Sequence, residues 1–126
     1  MPQSEAAILA TAYVDSVGAK KLGLLDDLFA EDLVATLAGD TFDKAQWISA
    51  LARLLPVLVR NDIRKVFTDG DDACVVYDFV TDTAAGAVPC VELVTVRDGR
   101  IVTIELIFEK ANWPVVVAAL QERASR

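Results

Sequence analysis

The chain contains no histidine. That removes the side chain whose ordinary pKa best suits proton transfer near neutrality, the usual orienting member of a catalytic triad and the commonest zinc ligand. Acid–base chemistry therefore falls to carboxylates, tyrosine or lysine. Cysteine is scarce. Cys74 and Cys90 are the only two, too few for a disulfide scaffold and in keeping with a reducing cytoplasm. Basic residues are also short, with 12 Lys and Arg against 19 Asp and Glu for a net charge of −7. Such a balance argues against a nucleic-acid partner, whose phosphates call for a basic patch. No apolar run approaches the ~20 residues of a membrane-spanning helix. The opening MPQSEAAILATAYV lacks the basic region and apolar block of a signal peptide. These absences point to a cytoplasmic protein without a nucleic-acid or membrane partner, and to a small apolar molecule as the better-suited ligand.

What is present is a generous apolar reserve. Of 126 residues, 54% are hydrophobic, enough for a single domain, 1–126, with a sizeable core. Ser4 is a cap for a helix reaching about Val17, with Ile8, Leu9, Ala12, Tyr13 and Val17 on its inner stripe. LLDDLFA predicts a second short helix with Asp26 and Asp27 toward water, and LVATLAG a first strand. Asp43 caps a third helix reaching about Leu58, with Trp47, Ile48, Leu51, Leu54, Leu55 and Leu58 at helical spacing and Pro56 ending or kinking it. A short edge strand over 62–68 follows, and the end of the chain predicts a helix with Asn112 as cap and Pro114 in its first turn.

The stretch from Ala73 to Glu109 reads as two hairpins sharing a middle strand. ACVVYDFVTD, VPCVELVTVR and RIVTIELIFE alternate as strands, separated by AAG and by DG. A loop of Ala84, Ala85 and Gly86 places Asp78 opposite Glu92, and Cys74 and Cys90 opposite Val96 and Val80, out of bonding reach of each other. Directly opposed side chains lie about 4.5–5.5 Å apart at Cβ, where like charges destabilise. Val76, Val80, Cys90 and Val94 share that face, so the two acids would sit in apolar surroundings. One of them would then hold its proton near neutral pH while the other stays ionised.

LDDLFAEDLVATL, the capped third helix and VRDGRIVTIELIFE together resemble the SnoaL-like and ketosteroid-isomerase-like members of the nuclear transport factor 2-like superfamily. The resemblance spans about residues 5 to 110. It implies an α+β fold, a cone-shaped barrel whose curved antiparallel sheet wraps around N-terminal helices and encloses a pocket, commonly in a homodimer. It also implies that Glu92 faces this pocket with Val102, Ile104, Leu106 and Phe108, through a three-residue loop with a bulge at Arg97-Asp98-Gly99. Tyr13 matches the first-helix tyrosine that serves ketosteroid isomerases as an oxyanion donor. Glu92 falls where those enzymes keep a protonated acid. The family's catalytic base position holds Leu37, with Asp40 three residues on.

The expected function is therefore cofactor-free and metal-free acid–base chemistry on a small, mostly apolar substrate, of isomerase, dehydratase or lyase, or epoxide-hydrolase type. Asp78, Glu92 and Tyr13 are its candidate catalytic residues. Trp47, Val76, Cys90, Val94, Ile104, Leu106 and Phe108 are its candidate pocket walls. The alternative is a non-catalytic ligand-binding or assembly module of the same fold. The other sheet face, with Tyr77, Phe79, Val91, Leu93, Thr95, Thr103, Glu105 and Ile107, is the expected homodimer surface.

Overall fold

Ser4 begins the first helix as the sequence predicts. Its hydroxyl accepts a hydrogen bond from the Ala7 N–H at 3.1 Å, and α1 runs Glu5–Gly18. The computed structural model describes residues 4–125, so the outermost positions of the expected 1–126 domain lie outside the described residues. The buried stripe of α1 is Ala6, Ala10, Tyr13, Val14 and Val17, while Ile8 is half exposed. Small alanines at the contact let the helix lie close against the sheet. A 3₁₀ turn at Leu22–Leu24 leads into the single-turn α2, Leu25–Leu28. β1 already begins at Phe29 and runs to Leu37.

A short β2, Asp40–Phe42, turns back on β1 and has no counterpart in the sequence reading. α3, Lys44–Ala52, carries a full capping box in which Asp43 and Gln46 satisfy each other's backbone N–H groups. It ends four residues before Pro56, earlier than its apolar spacing suggests, and the residues between form turns. The remaining elements are β3 Leu58–Asp69, β4 Asp72–Thr81, β5 Ala87–Arg97, β6 Arg100–Phe108 and α4 Trp113–Ala124.

The six strands form one curved sheet in the order β2-β1-β6-β5-β4-β3. β2 and β3 remain as edges, so the expected barrel is an unclosed sheet. The sheet is also mixed, because β1 runs parallel to β6. A parallel neighbour needs a long crossover, and here the whole stretch from β2 to β5 supplies it. The inner face packs on α1 and α3 and forms the core with Val75, Tyr77, Phe79, Cys90, Val94 and Ile104. The layout is α+β, with helices on one side of a largely antiparallel sheet.

Two registers differ from expectation. Between β5 and β6 the turn is the two-residue Asp98-Gly99, with φ of 54° and 76°, and Arg97 pairs with Arg100. The extra residue sits inside β6 instead, where the ladder shifts between Thr95 and Val96. Glu92 thus pairs with Leu106, on the inner face with Ile104 and Phe108 as expected.

Between β4 and β5 the change is larger. Asp78 pairs with Pro89, three residues short of Glu92, which instead lies opposite Val75. Cys74 pairs with Leu93 and Cys90 with Tyr77, and both thiols are free. An odd shift moves a strand's side chains to the other face. Tyr77 and Phe79 go inside and Val76 and Asp78 outside, the reverse of the sequence expectation. Two causes favour this register. Burying two aromatic rings is worth several kcal/mol, about 1.5–3 each, whereas burying a second carboxylate is costly. The loop is also longer than AAG: Thr81 Oγ1 donates to the Gly86 carbonyl at 2.9 Å and Thr83 Oγ1 accepts from the Ala85 N–H at 3.2 Å. Gly86 supplies the left-handed φ of 61° that closes it.

Candidate functional site

Among the described residues Glu92 is the one acidic side chain buried in the core, at 2% exposure. β5 places it on the inner face between the rows of β4 and β6, under α1. The Tyr77 hydroxyl donates to Glu92 Oε1 at 2.7 Å. Glu92 Oε2 is equally buried and has no well-aligned hydrogen-bond partner, but the Tyr13 hydroxyl lies near enough to act on the carboxylate. Burial raises the Glu92 pKa from its ordinary 4.5 to about 7, against the opposing pull of the Tyr77 and Tyr13 hydroxyls. The same carboxylate acts on its neighbours. Burial first, and the charge of Glu92 second, push the hydroxyls of Tyr13 and Tyr77 well above the ordinary tyrosine value. The Cys90 thiol is pushed up to about 12 for the same two reasons, so it is not an activated nucleophile.

Tyr13 faces inward as its place on α1 predicts. Its hydroxyl accepts from Trp47 Nε1 at 3.1 Å, and its ring meets Phe29 edge-on at 5.3 Å. α1, β1 and α3 are tied together at this point. Lys44 at the start of α3 adds a second tie, with its Nζ 2.8 Å from the Asp26 carbonyl, 2.9 Å from Glu31 Oε1 and 3.0 Å from Asp26 Oδ1. Asp26 is thus an ion-pair partner and not only a solvated acid.

Beside Glu92 lies a narrow cavity of about 110 Å³. Its walls are almost wholly apolar: Val14 and Val17 of α1, Trp47, Leu51 and Leu54 in and after α3, Tyr77, Phe79, Cys90, Leu106 and Phe108 of the sheet, and Trp113 of α4. The Trp113 ring meets Phe108 at 4.6 Å and Phe79 at 6.3 Å, tilted by 58° and 56°. Glu92 and Asn61 bring polar groups to it. Leu37, at the position where the resemblance puts a catalytic base, is part of the wall, whereas Asp40 borders two open grooves outside the cavity, one with Gln46 and Arg53 and one with Leu37, Phe108 and Trp113.

Of the residues singled out from the sequence, Trp47, Cys90, Glu92, Leu106 and Phe108 border this cavity. Tyr13 stands behind it, through its bond with Trp47. Val94 and Ile104 are on the inner face but buried in the core away from it. Val76 and Asp78 are on the outer face. Asp78 lies opposite Asp62 and 3.6 Å from Arg64 Nε. Asp78 and Glu92 therefore do not form a pair, and the shared-proton arrangement expected of them is absent. Tyr77, Phe79, Asn61 and Trp113 were missed. Tyr77 and Phe79 needed only a correct loop count. Asn61 gives no periodic signal, and Trp113 lies in a helix far from the hairpins. Among the described residues no cluster of three His, Cys, Asp or Glu is placed to hold a metal ion.

The family model for the SnoaL-like domain matches residues 10–104. The chain belongs to this family. Among solved structures, this SnoaL-like chain is similar to a protein from Kribbella flavida, with 23% identity, 95% of this chain and 99% of that one covered, and a TM-score of 0.82. A second Kribbella flavida protein, described as a ketosteroid isomerase candidate, has 18% identity, 85% and 79% coverage and a TM-score of 0.73. A SnoaL-like polyketide cyclase candidate from Jannaschia sp. CCS1 has 15% identity, 94% and 98% coverage and a TM-score of 0.75. None of the curated proteins compared with the chain matches it in sequence. At these identities the structures share the fold. Leu106 and Phe108 at the end of β6 and Trp113 of α4 lie beyond the matched 10–104, so three walls of the SnoaL-like cavity come from outside the family match. No helix among the described residues is long and apolar enough to cross a membrane.

Proposed function

We propose that this SnoaL-like domain binds a small, mostly apolar molecule in the cavity beside Glu92 and moves a proton on it, with Glu92 as the acid–base group and no cofactor. The observation that carries this reading is the state of Glu92, a carboxylate buried beside an apolar cavity with one oxygen held by Tyr77 and the Tyr13 hydroxyl also acting on it. With a pKa of about 7 both its forms are populated near neutral pH, so one group can accept a proton and return it. Tyr77 keeps the carboxyl oriented. Tyr13, which accepts from Trp47, is the second hydroxyl acting on Glu92 and serves as the further hydrogen-bond donor.

Isomerisation or elimination through proton abstraction beside a carbonyl suits a single carboxylate. Epoxide opening built on paired acids does not, since Asp78 faces away. The test is exchange of the acidic C–H protons of cyclohexanone for deuterium, followed by NMR. Wild-type protein should accelerate exchange and Glu92→Gln should not. Equal rates in the two proteins would leave the non-catalytic binding module as the correct reading.

Assembly belongs to the same proposal. Val34, Phe67, Leu93 and Ile107 are about half exposed on the outer face, where Val34, Phe67 and Leu93 line a groove with Glu105 and Lys65 lies over the Phe67 ring. A second copy of the chain, related by a two-fold axis, would cover the apolar residues and bring those opposite charges together.

A further inference from the structure

The cavity beside Glu92 and an open groove outside it share three residues, because Leu37, Phe108 and Trp113 border both. These three form a partition between the buried space and the surface. Two of them sit on backbone held by the sheet. Leu37 is paired with Asp40 on one side and Leu106 on the other, and Phe108 is paired with Cys90. Trp113 is held differently. It opens α4 at the end where Asn112 supplies no side-chain cap, behind three exposed residues, 110–112. A polar tie of α4 to the rest of the fold lies at its other end, where Arg123 Nη1 is 2.6 Å from the Pro56 carbonyl and 2.7 Å from Asp82 Oδ1. Among the described residues none bonds the Trp113 indole N–H, whereas that of Trp47 is bonded to the Tyr13 hydroxyl at 3.1 Å.

Resting on the reading above that the cavity takes a small molecule, we propose that Trp113 is its gate and size filter: the indole turns out of the partition, cavity and groove become one site, and the groove between β1, β2 and α4 is the way in. Two observations call for a movable wall. Glu92 is 2% exposed, so no molecule reaches its carboxyl while the partition is closed. An apolar cavity of about 150 Å³ holds benzene, so a ring-sized molecule needs more room than the closed space of about 110 Å³. The indole is the largest of the three partition side chains. Its turn therefore opens the widest passage, and it does so by giving up ring contacts with Phe108 and Phe79 without breaking a hydrogen bond.

The test compares wild type with Trp113→Ala and, as a control on the same helix, Val115→Ala, whose side chain is exposed. Removing the indole lets water reach the carboxyl. The Glu92 pKa, followed by carboxyl-carbon NMR, should then fall from about 7 toward its ordinary 4.5 in Trp113→Ala and stay in place in Val115→Ala. The filter is read from deuterium exchange of the two-ring ketone tetralone against that of cyclohexanone, and the ratio of the two rates should rise about tenfold in Trp113→Ala. Because that variant can also loosen α4, wild type supplies a second readout. NMR relaxation dispersion should show exchange between two positions at Trp113 Nε1 and none at the bonded Trp47 Nε1. An unshifted Glu92 pKa, an unchanged rate ratio or a Trp113 indole as still as that of Trp47 overturns the gate while the cavity reading stands. If wild type exchanges neither ketone faster than Glu92→Gln does, the proton-transfer reading falls, and the pKa and dispersion results still decide the gate.

Discussion

The Tyr77 hydroxyl lies 2.7 Å from Glu92 Oε1 and donates to it across neighbouring strands, although the two residues are not cross-strand partners. Tyr77 pairs with Cys90, two residues before Glu92, and the long tyrosine side chain reaches diagonally along the face. This bond holds the Glu92 pKa below what burial alone would give. Tyr77→Phe should therefore raise it, as followed by carboxyl-carbon NMR, and lower stability by about 1–3 kcal/mol, the usual cost of orphaning a buried polar group. A Glu92 titration unmoved in Tyr77→Phe would show that the hydroxyl does not stabilise the carboxylate.

Glu92 also makes stability depend on pH. Its folded pKa, about 7, is above the ordinary 4.5, so between those values the folded state binds more protons than the unfolded one. Stability is highest below about pH 4.5, falls as pH rises toward 7 and levels off above it. At about 1.4 kcal/mol per unit the loss is on the order of 3 kcal/mol. The difference in unfolding free energy between wild type and Glu92→Gln should show this slope, and Asp27→Asn, at an exposed position, should run parallel to wild type. Parallel curves for Glu92→Gln would mean that Glu92 titrates normally.

Gly18 and Gly23 make a matched pair. A Cβ at Gly18 would meet Asn61 N at 2.8 Å and Asn61 Cβ at 3.0 Å, while a Cβ at Gly23 meets nothing within 4 Å. Gly18→Ala should destabilise by about 1–3 kcal/mol through forced separation of α1 and β3. Gly23→Ala should be neutral or stabilise by up to about 1 kcal/mol. Thermal melts of both variants check this, and equal behaviour would refute the close approach.

Leu93→Arg tests the outer face. Leu93 is 41% exposed and paired with Glu105 and Cys74, so the change leaves the core intact. Sedimentation should find wild type as a dimer and the variant as a monomer with an unchanged melting curve at low concentration. The same species in both would place any interface elsewhere.

Local chemistry was legible without the fold. Ser4 and Asp43 announced their helices because a capping side chain acts within three residues, and Asp98-Gly99 marked the place of a turn, because those residue types tolerate positive φ, but not its two-residue length. The lack of histidine directed attention to carboxylates, and Glu92 was correctly assigned to the inner face. Asp78 was not. In a strand every second residue shares a face, so an odd error in one loop reverses an entire strand, and the Thr81 and Thr83 hydroxyls that set that loop act across a turn the sequence does not outline. The parallel pairing of β1 with β6 and the placing of Asn61 beside the cavity join segments far apart in the chain, and the Tyr77–Glu92 bond depends on the hairpin register. Those contacts are chosen by competition between whole packings, here by where Tyr77 and Phe79 can be buried, and only the tertiary structure decides them.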